Sequence, residues 1–203
     1  MNNIDETTGG EGESQDGNDN LQEMEPRRRG FRPAHFILVA GLIALVLIIL
    51  KQPPAPPATI GDMPTFSLVN IAGGDLKSQE LQGKVLVVDF WASWCAPCKI
   101  EIPQYNKLAE SMAGTDFQMI GYTVESGSID EVRKSAAELG IQYQVVMGTD
   151  AVTMGFGNYT GLPTTFVIGR NGKVYKKYLG APPGKIPQIA KDVKELLAAP
   201  PNL

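Results

Sequence analysis

The chain has 203 residues, of which 43% are hydrophobic and 20% are charged, and its net charge is −4. This balance argues against a nucleic-acid partner, because phosphate binding needs a positively charged face. Two cysteines and one histidine are too few for a scaffold of several disulfides or for a closed zinc site, which needs four ligands. We therefore expect no metal and no other cofactor.

The first 60 residues fall into three segments of different composition. Residues 1–26 contain eight acids and no Lys or Arg, which predicts a disordered acidic tail. Residues 27–51 contain four arginines, then eighteen residues (33–50) without an acid, Lys or Arg, then Lys51. A helix of that length spans about 27 Å, which predicts one transmembrane anchor. Residues 52–60 are rich in proline and predict a semi-rigid linker.

Basic residues decide the orientation of this anchor. Four arginines precede the apolar run and one lysine follows it, so the N-terminus is expected in the cytoplasm. The rest of the chain, 61–203, would then lie on the extracytoplasmic, periplasmic side of the membrane. A cleavable signal peptide is the alternative, although a long region precedes the run and no clear small-x-small cleavage site follows it.

Alternating strand and helix patterns run through 61–203. The predicted strands are 66–71, 84–91, 117–124, 143–147, 164–168 and 173–178. One helix is expected to begin near Cys95, and a second begins at the Ser128-x-x-Glu131 capping box and ends at Gly140. A short helix over 151–159 and a last amphipathic helix over 186–197 complete the pattern. This order predicts an α/β domain whose central sheet is covered by helices on both faces.

Both cysteines lie in one Cys95-Ala96-Pro97-Cys98 motif, where the apolar strand 84–91 leads into a helix. Unpaired N–H groups and the dipole at a helix N-terminus favour a thiolate, which is the attacking form of cysteine. The spacing therefore predicts a redox pair in which Cys95 attacks a disulfide and Cys98 resolves the mixed disulfide. A purely structural disulfide and a pair of zinc ligands are the alternatives. Both are weaker, because so short a loop constrains little unfolded chain and further zinc ligands are lacking.

Three segments resemble the thioredoxin superfamily and, more narrowly, its bacterial membrane-anchored TlpA/ResA-like branch. They are DMPTFSL (62–68), VVDFWASWCAPCKIEIP (87–103) and GLPTTFVIGRNGKV (161–174). The resemblance covers roughly 62–198. It implies a thioredoxin fold, a central mixed sheet flanked by helices, with an N-terminal strand extension and a central αβ insertion.

The resemblance also implies roles around the motif. Cys95 corresponds to an exposed nucleophile and Cys98 to a buried resolving thiol. Trp94 corresponds to an aromatic residue that shields the site. Leu162 would pair its backbone with an extended substrate, next to Pro163, which corresponds to a cis-proline facing the cysteines.

Two acids and one lysine near the motif each have two interpretations. Asp89 corresponds to a buried acid with a raised pKa that takes the proton of Cys98, but it could be a simple hydrogen-bonded strand acid. Glu101 shares a helix face with Cys98 and corresponds to an acid that tunes the redox pair, or it is an ordinary exposed helix acid. Lys99 could add positive potential near Cys95, but a solvated lysine is the simpler interpretation.

These observations predict a membrane-tethered extracytoplasmic thiol-disulfide oxidoreductase. The resemblance implies reduction of exported proteins such as apocytochrome c, with electrons supplied by a membrane thiol carrier. One alternative is a peroxiredoxin-like peroxidase, although the Pro and Thr of that motif are missing before Cys95. Another is a non-catalytic binding module or chaperone with the same fold.

Overall fold

The computed structural model describes residues 33–51, 59–157 and 160–200, and the chain divides into two compact units, Met1–Gln52 and Pro53–Leu203. The described part of the first unit is helix α1 (Pro33–Leu50) with Lys51. The side chains of 37–48 in α1 are exposed. Within the described residues, no helix has the length and hydropathy that a membrane crossing requires. The predicted anchor over 27–51 therefore stays a prediction, while the predicted tail 1–26 and most of the linker 52–60 lie outside the described residues.

The second unit contains all eight strands that the structure describes. The strands are β1 (Gly61–Asp62), β2 (Ser67–Val69), β3 (Asp75–Lys77), β4 (Val85–Trp91), β5 (Phe117–Thr123), β6 (Gln144–Met147), β7 (Thr164–Ile168) and β8 (Lys173–Leu179). The helices are α2 (Ala96–Ser111), α3 (Ile129–Glu138), α4 (Asp150–Gly155) and α5 (Lys185–Ala198), with a 3-10 turn at Ser78–Leu81.

Six of these strands form one mixed sheet in the order β1-β8-β7-β4-β5-β6. Strands β4, β5 and β6 are parallel, whereas β7, β8 and β1 each pair antiparallel with their neighbour. Strands β2 and β3 form a separate hairpin. The central strand β4 is buried along its whole length, which explains its continuous apolar sequence.

Both faces of the six-stranded sheet are covered, as the alternation of strands and helices predicts. Val85 and Val87 of β4 pack with α2 and α5. Leu86 and Val88 point to the opposite face, where they belong to the cluster that includes α3 and the β2–β3 hairpin. Because side chains alternate along a strand, Asp89 lies on the face that α2 and α5 cover.

Local signals placed several elements correctly. Ser128 and Glu131 form the predicted capping box, in which Ser128 Oγ accepts from the Glu131 N–H and Glu131 Oε2 accepts from the Ser128 N–H at 2.7 Å. Gly140 follows α3 with φ +64°, and Gly172 takes φ +73° in the turn between β7 and β8. The left-handed region is open to glycine at little cost, which explains both chain reversals. The short helix predicted over 151–159 is α4, which ends earlier, at Gly155.

Candidate active site

The two cysteines lie at the start of α2, shortly after the end of strand β4. Cys95 is the N-cap of this helix, and its Sγ accepts a hydrogen bond from the backbone N–H of Cys98 at 3.3 Å. Cys95 and Cys98 form a disulfide, with their Cα atoms 5.4 Å apart. In the reduced protein, the same N–H groups and the helix dipole would stabilise a thiolate on Cys95.

Cys95 borders a shallow depression of about 330 Å³. Its lining consists of Trp94, Cys95, Ala96, Pro97, Glu125, Gly161 and Leu162. Cys95 is only 4% exposed and Cys98 is fully buried. The expectation of an exposed Cys95 is therefore wrong for this disulfide form, because the sulfur is bonded inward to Cys98 and neighbouring side chains surround it.

Trp94 forms an exposed wall of this depression, with 59% of its surface accessible. Its indole Nε1 donates to the carbonyl of Glu125 at 2.8 Å. Glu125 has φ +48°, a conformation that is uncommon for a residue other than glycine. The adjacent Ser126 accepts a hydrogen bond from the Ser93 N–H at 3.2 Å. The loop after β5 therefore holds the Trp94 side of the site, a contribution that no sequence motif indicated.

Pro163 follows a cis peptide bond from Leu162, as the resemblance implies. Leu162 is half-buried and lines the depression beside Cys95. The carbonyl of Pro163 accepts from the Gly180 N–H at 2.8 Å, which attaches this turn to the end of β8. The structure thus brings Trp94, Cys95 and Leu162 together around one apolar opening.

Asp89 lies in a buried polar layer under the α2 helix. Its Oδ1 accepts from Thr165 Oγ1 at 2.7 Å and from the Tyr105 hydroxyl at 3.3 Å. Its Oδ2 is buried without a hydrogen-bond partner among the described residues. Burial raises the pKa of Asp89 to about 7, against the lowering effects of Lys185 and of the Thr165 hydrogen bond. Both interpretations of Asp89 therefore fit the geometry, since it is a hydrogen-bonded strand acid whose proton exchanges near neutral pH.

Glu101 is only 4% exposed, so its interpretation as an ordinary exposed helix acid is wrong. Its Oε2 accepts from the ammonium group of Lys185 at 2.9 Å. Burial raises the pKa of Glu101, whereas the hydrogen bond and the charge of Lys185 lower it. Glu101 follows Cys98 by three residues, and both side chains are buried, so they share the inner face of α2.

Sequence reasoning missed Lys185 and the polar roles of Tyr105 and Thr165. Tyr105 fits the apolar stripe of α2, and Thr165 is an ordinary strand residue, so neither carries a local signal. Lys185 is the first residue of α5, where the helix dipole disfavours a cation. This unfavourable position is the signal in the sequence that could have identified Lys185. Lys99, in contrast, is exposed, in agreement with the solvated interpretation.

Comparisons with known proteins agree with this geometry. The Redoxin family model matches residues 59–196. The thiol-disulfide oxidoreductase ResA of Bacillus subtilis (strain 168) is 30% identical over 160 residues, which cover 77% of this chain and 88% of that protein. ResA of Bacillus anthracis is 25% identical over 158 residues, covering 77% of this chain and 91% of that protein.

A solved structure supports the same assignment. A thioredoxin-family thiol:disulfide interchange protein from Chlorobium tepidum TLS superposes with a TM-score of 0.61 and 32% identity, covering 71% of this chain and 99% of that chain. The architecture of the second unit is therefore thioredoxin-like. The chain belongs to the Redoxin family and, as a ResA/TlpA-like member of the thioredoxin superfamily, is a thiol-disulfide oxidoreductase.

Proposed function

We propose that this protein is tethered to the cytoplasmic membrane and reduces disulfides in exported proteins through Cys95 and Cys98. The observation that carries the proposal is the Cys95–Cys98 disulfide at the N-terminus of α2, beside an apolar depression. A dithiol at this position can reach a substrate disulfide, and it closes on itself when its two electrons have been transferred.

The exchange has two steps. The Cys95 thiolate attacks one sulfur of the substrate disulfide, a mixed disulfide forms, and the first substrate sulfur leaves as a thiolate. Cys98 then loses its proton and attacks Cys95 Sγ, which forms the Cys95–Cys98 disulfide and releases the second substrate sulfur. Two electrons pass to the substrate, and its two thiolates take up protons according to pH.

Asp89 is the group that we assign to the proton of Cys98. Its pKa of about 7 allows it to be ionised before the second step and protonated after it. Oδ1 accepts from Thr165 and Tyr105, so the incoming proton would go to Oδ2, which has no hydrogen-bond partner among the described residues. Trp94 and Leu162 would contact the substrate, and the backbone of Leu162, next to Pro163, would pair with an extended segment.

The tether in this proposal is the apolar segment 33–50. It is bounded by Arg32 and Lys51, and the side chains of 37–48 are apolar or small and exposed on α1. The excess of arginine before this segment orients the N-terminus to the cytoplasm and residues 61–203 to the periplasmic side. Carbonate extraction of membranes tests the tether. Protease digestion of intact spheroplasts tests its orientation. Release of the full-length protein by carbonate would contradict the tether.

Apocytochrome c is the substrate that we propose, since an exported protein that must keep two cysteines reduced needs a reductant outside the cytoplasm. The oxidised Cys95–Cys98 pair must then receive two electrons. A membrane thiol carrier is the donor class that fits, because soluble cytoplasmic reductants do not cross the membrane and segment 33–50 contains no cysteine.

Trapping in cells tests the proposed chemistry. The full-length Cys98→Ser variant should accumulate mixed disulfides on Cys95, because the resolving thiol is missing. The Cys95→Ser variant is the matched control and should accumulate none. Mass spectrometry of the trapped species identifies the substrate. Equal trapping by both variants, or none by either, would contradict the assigned roles.

A further inference from the structure

Lys185 is a buried lysine whose side chain is directed toward the inner face of the cysteine helix. We propose that Lys185 is a positioning residue for thiol-disulfide exchange, one that holds Glu101 next to Cys98 and applies a positive charge to the carboxyl group of Asp89. The inference rests on the proposed function, in which Asp89 receives the proton of Cys98. It adds a residue of α5 to a site otherwise built from β4, α2, the loop after β5, the Leu162–Pro163 turn and β7.

The contacts of the ammonium group are few and well defined. Nζ donates to Glu101 Oε2 and to the carbonyl of Gly180, at 2.9 Å in each case. It also lies 5.9 Å from the centroid of the Tyr105 ring. The side chains of Lys185 and Glu101 are 1% and 5% exposed, so water screens this ion pair weakly. The orientation of Glu101 is therefore set by a residue 84 positions away along the chain.

A continuous path leads from this ion pair to the cysteines. Cys98, Glu101 and Tyr105 follow one another at spacings of three and four residues, and all three are buried on one face of α2. The Tyr105 hydroxyl reaches Asp89 Oδ1 at 3.3 Å. Lys185 therefore contacts two of the residues that lie between α5 and the proton-accepting carboxyl.

The position of Lys185 argues against a purely structural role. A lysine is rarely buried unless it is paired, and the N-terminal end of a helix carries a partial positive charge that opposes it. Apolar residues of similar volume can replace buried ion pairs without loss of stability. The buried lysine is thus an electrostatic element at a place where packing alone would not require one.

The charges around Asp89 determine in which direction the loss of Lys185 shifts the pKa of Asp89. Lys185 lowers the pKa of Asp89, Glu101 raises it by a smaller amount, and the Tyr105 hydroxyl lowers it. Tyr143 packs near the same group, and burial keeps the pKa values of both tyrosines above the normal range, so they are neutral. Removal of Lys185 raises the pKa of Asp89 even if Glu101 then becomes protonated, because Lys185 has the larger effect of the two.

The test is the pH dependence of the second exchange step in the full-length protein. The reduced protein is mixed with excess oxidised glutathione, and quenched samples are analysed by mass spectrometry to follow loss of the Cys95–glutathione adduct. Lys185→Met should shift the pH profile of the resolution rate to higher pH by about one unit or more. Resolution at pH 7 is then roughly fivefold slower. Lys185→Arg should keep most of the wild-type profile. Lys191→Met, on the exposed face of the same helix, is the matched control and should not move it.

A second variant keeps the test decisive if Lys185→Met does not fold. Lys185→Met combined with Glu101→Gln removes both charges of the ion pair, and its pH profile should still move to higher pH. A folded variant with an unshifted profile would overturn the inference, as would failure of both variants to fold, which would make Lys185 a structural residue. If Cys98→Ser traps substrates while the profile stays unshifted, only this inference fails. If Cys98→Ser traps nothing, the proposed function fails independently.

Discussion

Thr165 Oγ1 lies 2.7 Å from Asp89 Oδ1, across the antiparallel pairing of β7 with β4, where these two residues stand directly opposite each other. Both side chains are buried, and the Tyr105 hydroxyl joins them at 2.8 Å from Thr165 and 3.3 Å from Asp89. One carboxylate oxygen is thereby satisfied, while the other has no partner within the described part of the chain. This pairing defines a carboxyl group that can gain and lose a proton inside the protein.

Asp89→Asn should stabilise the folded protein at pH 8 more than at pH 4. The pKa of Asp89 is about 7 in the folded state, above its unfolded value, so the charged form is disfavoured by folding. Wild-type stability therefore falls as pH rises from about 4 to 7, and each pKa unit corresponds to about 1.4 kcal/mol. The gain at pH 8 is at most ~4 kcal/mol by this relation. Urea unfolding of the oxidised protein at both pH values measures it.

The same variant should resolve mixed disulfides more slowly, because asparagine cannot accept the proton of Cys98. A general base contributes about 10²- to 10⁴-fold to a proton transfer. A free energy of unfolding at pH 8 lower than that of the wild type, or an unchanged rate of resolution, would show that Asp89 is a structural acid. Asp75→Asn, at an exposed position in β3, is a suitable control because it should change neither measurement.

Glu101→Gln should destabilise the protein, because it leaves the ammonium group of Lys185 buried without a counter-charge. Breaking one side of a buried ion pair typically costs about 3–5 kcal/mol. Replacing both residues, as Glu101→Gln with Lys185→Met, should cost less than Glu101→Gln alone, since the ammonium group that loses its counter-charge is then removed as well. Denaturant unfolding measures the free energy of unfolding of the wild type, Glu101→Gln and the double variant. If the double variant were less stable than Glu101→Gln, this would contradict the claim that Glu101 balances the buried charge of Lys185.

The exposed ion pair of Lys191 with Glu195 is the control for this comparison. Its side chains are 68% and 63% exposed, and the two groups are 3.8 Å apart. Pairs of this kind contribute about 0–1 kcal/mol, so Lys191→Met should change the free energy of unfolding little.

Trp94→Ala should reduce the activity toward protein disulfides while leaving stability nearly unchanged. The indole is 59% exposed and forms a wall of the depression beside Cys95, so its surface is available to a substrate. A well-placed aromatic contact contributes about 1–2 kcal/mol, which corresponds to a roughly 5- to 30-fold lower kcat/KM. Insulin reduction and reduction of a small aromatic disulfide are compared for each variant.

The small disulfide should be reduced almost normally by Trp94→Ala, because it does not need the extended contact. Ile100→Ala is the matched control, since Ile100 is 72% exposed on α2 and does not line the depression. An equal loss with both substrates would indicate that Trp94 acts on the cysteines rather than on the substrate.

Local patterns in the sequence were sufficient for most of the longer elements and for the position of the cysteine pair. The apolar run 84–91 predicted β4, and the Ser128–Glu131 spacing predicted the start of α3. The Cys95-x-x-Cys98 motif at a strand-to-helix junction predicted a cysteine pair at the start of α2. Each of these signals depends on residues within a few positions of one another. The physical rule in each case is strand burial, helix capping or the helix dipole.

The tertiary structure alone decided which buried polar residues meet under the cysteine helix α2. Asp89 meets Thr165 because β7 returns antiparallel to β4, and Glu101 meets Lys185 because α5 packs beside α2. These partners are 76 and 84 residues apart, so no local pattern could identify them. The sequence by itself therefore determined that the two cysteines lie three positions apart at a helix N-terminus, where the structure joins them in a disulfide. Long-range packing determined which buried charges meet one another under α2, because Coulomb interactions depend on distance in space and on the exclusion of water.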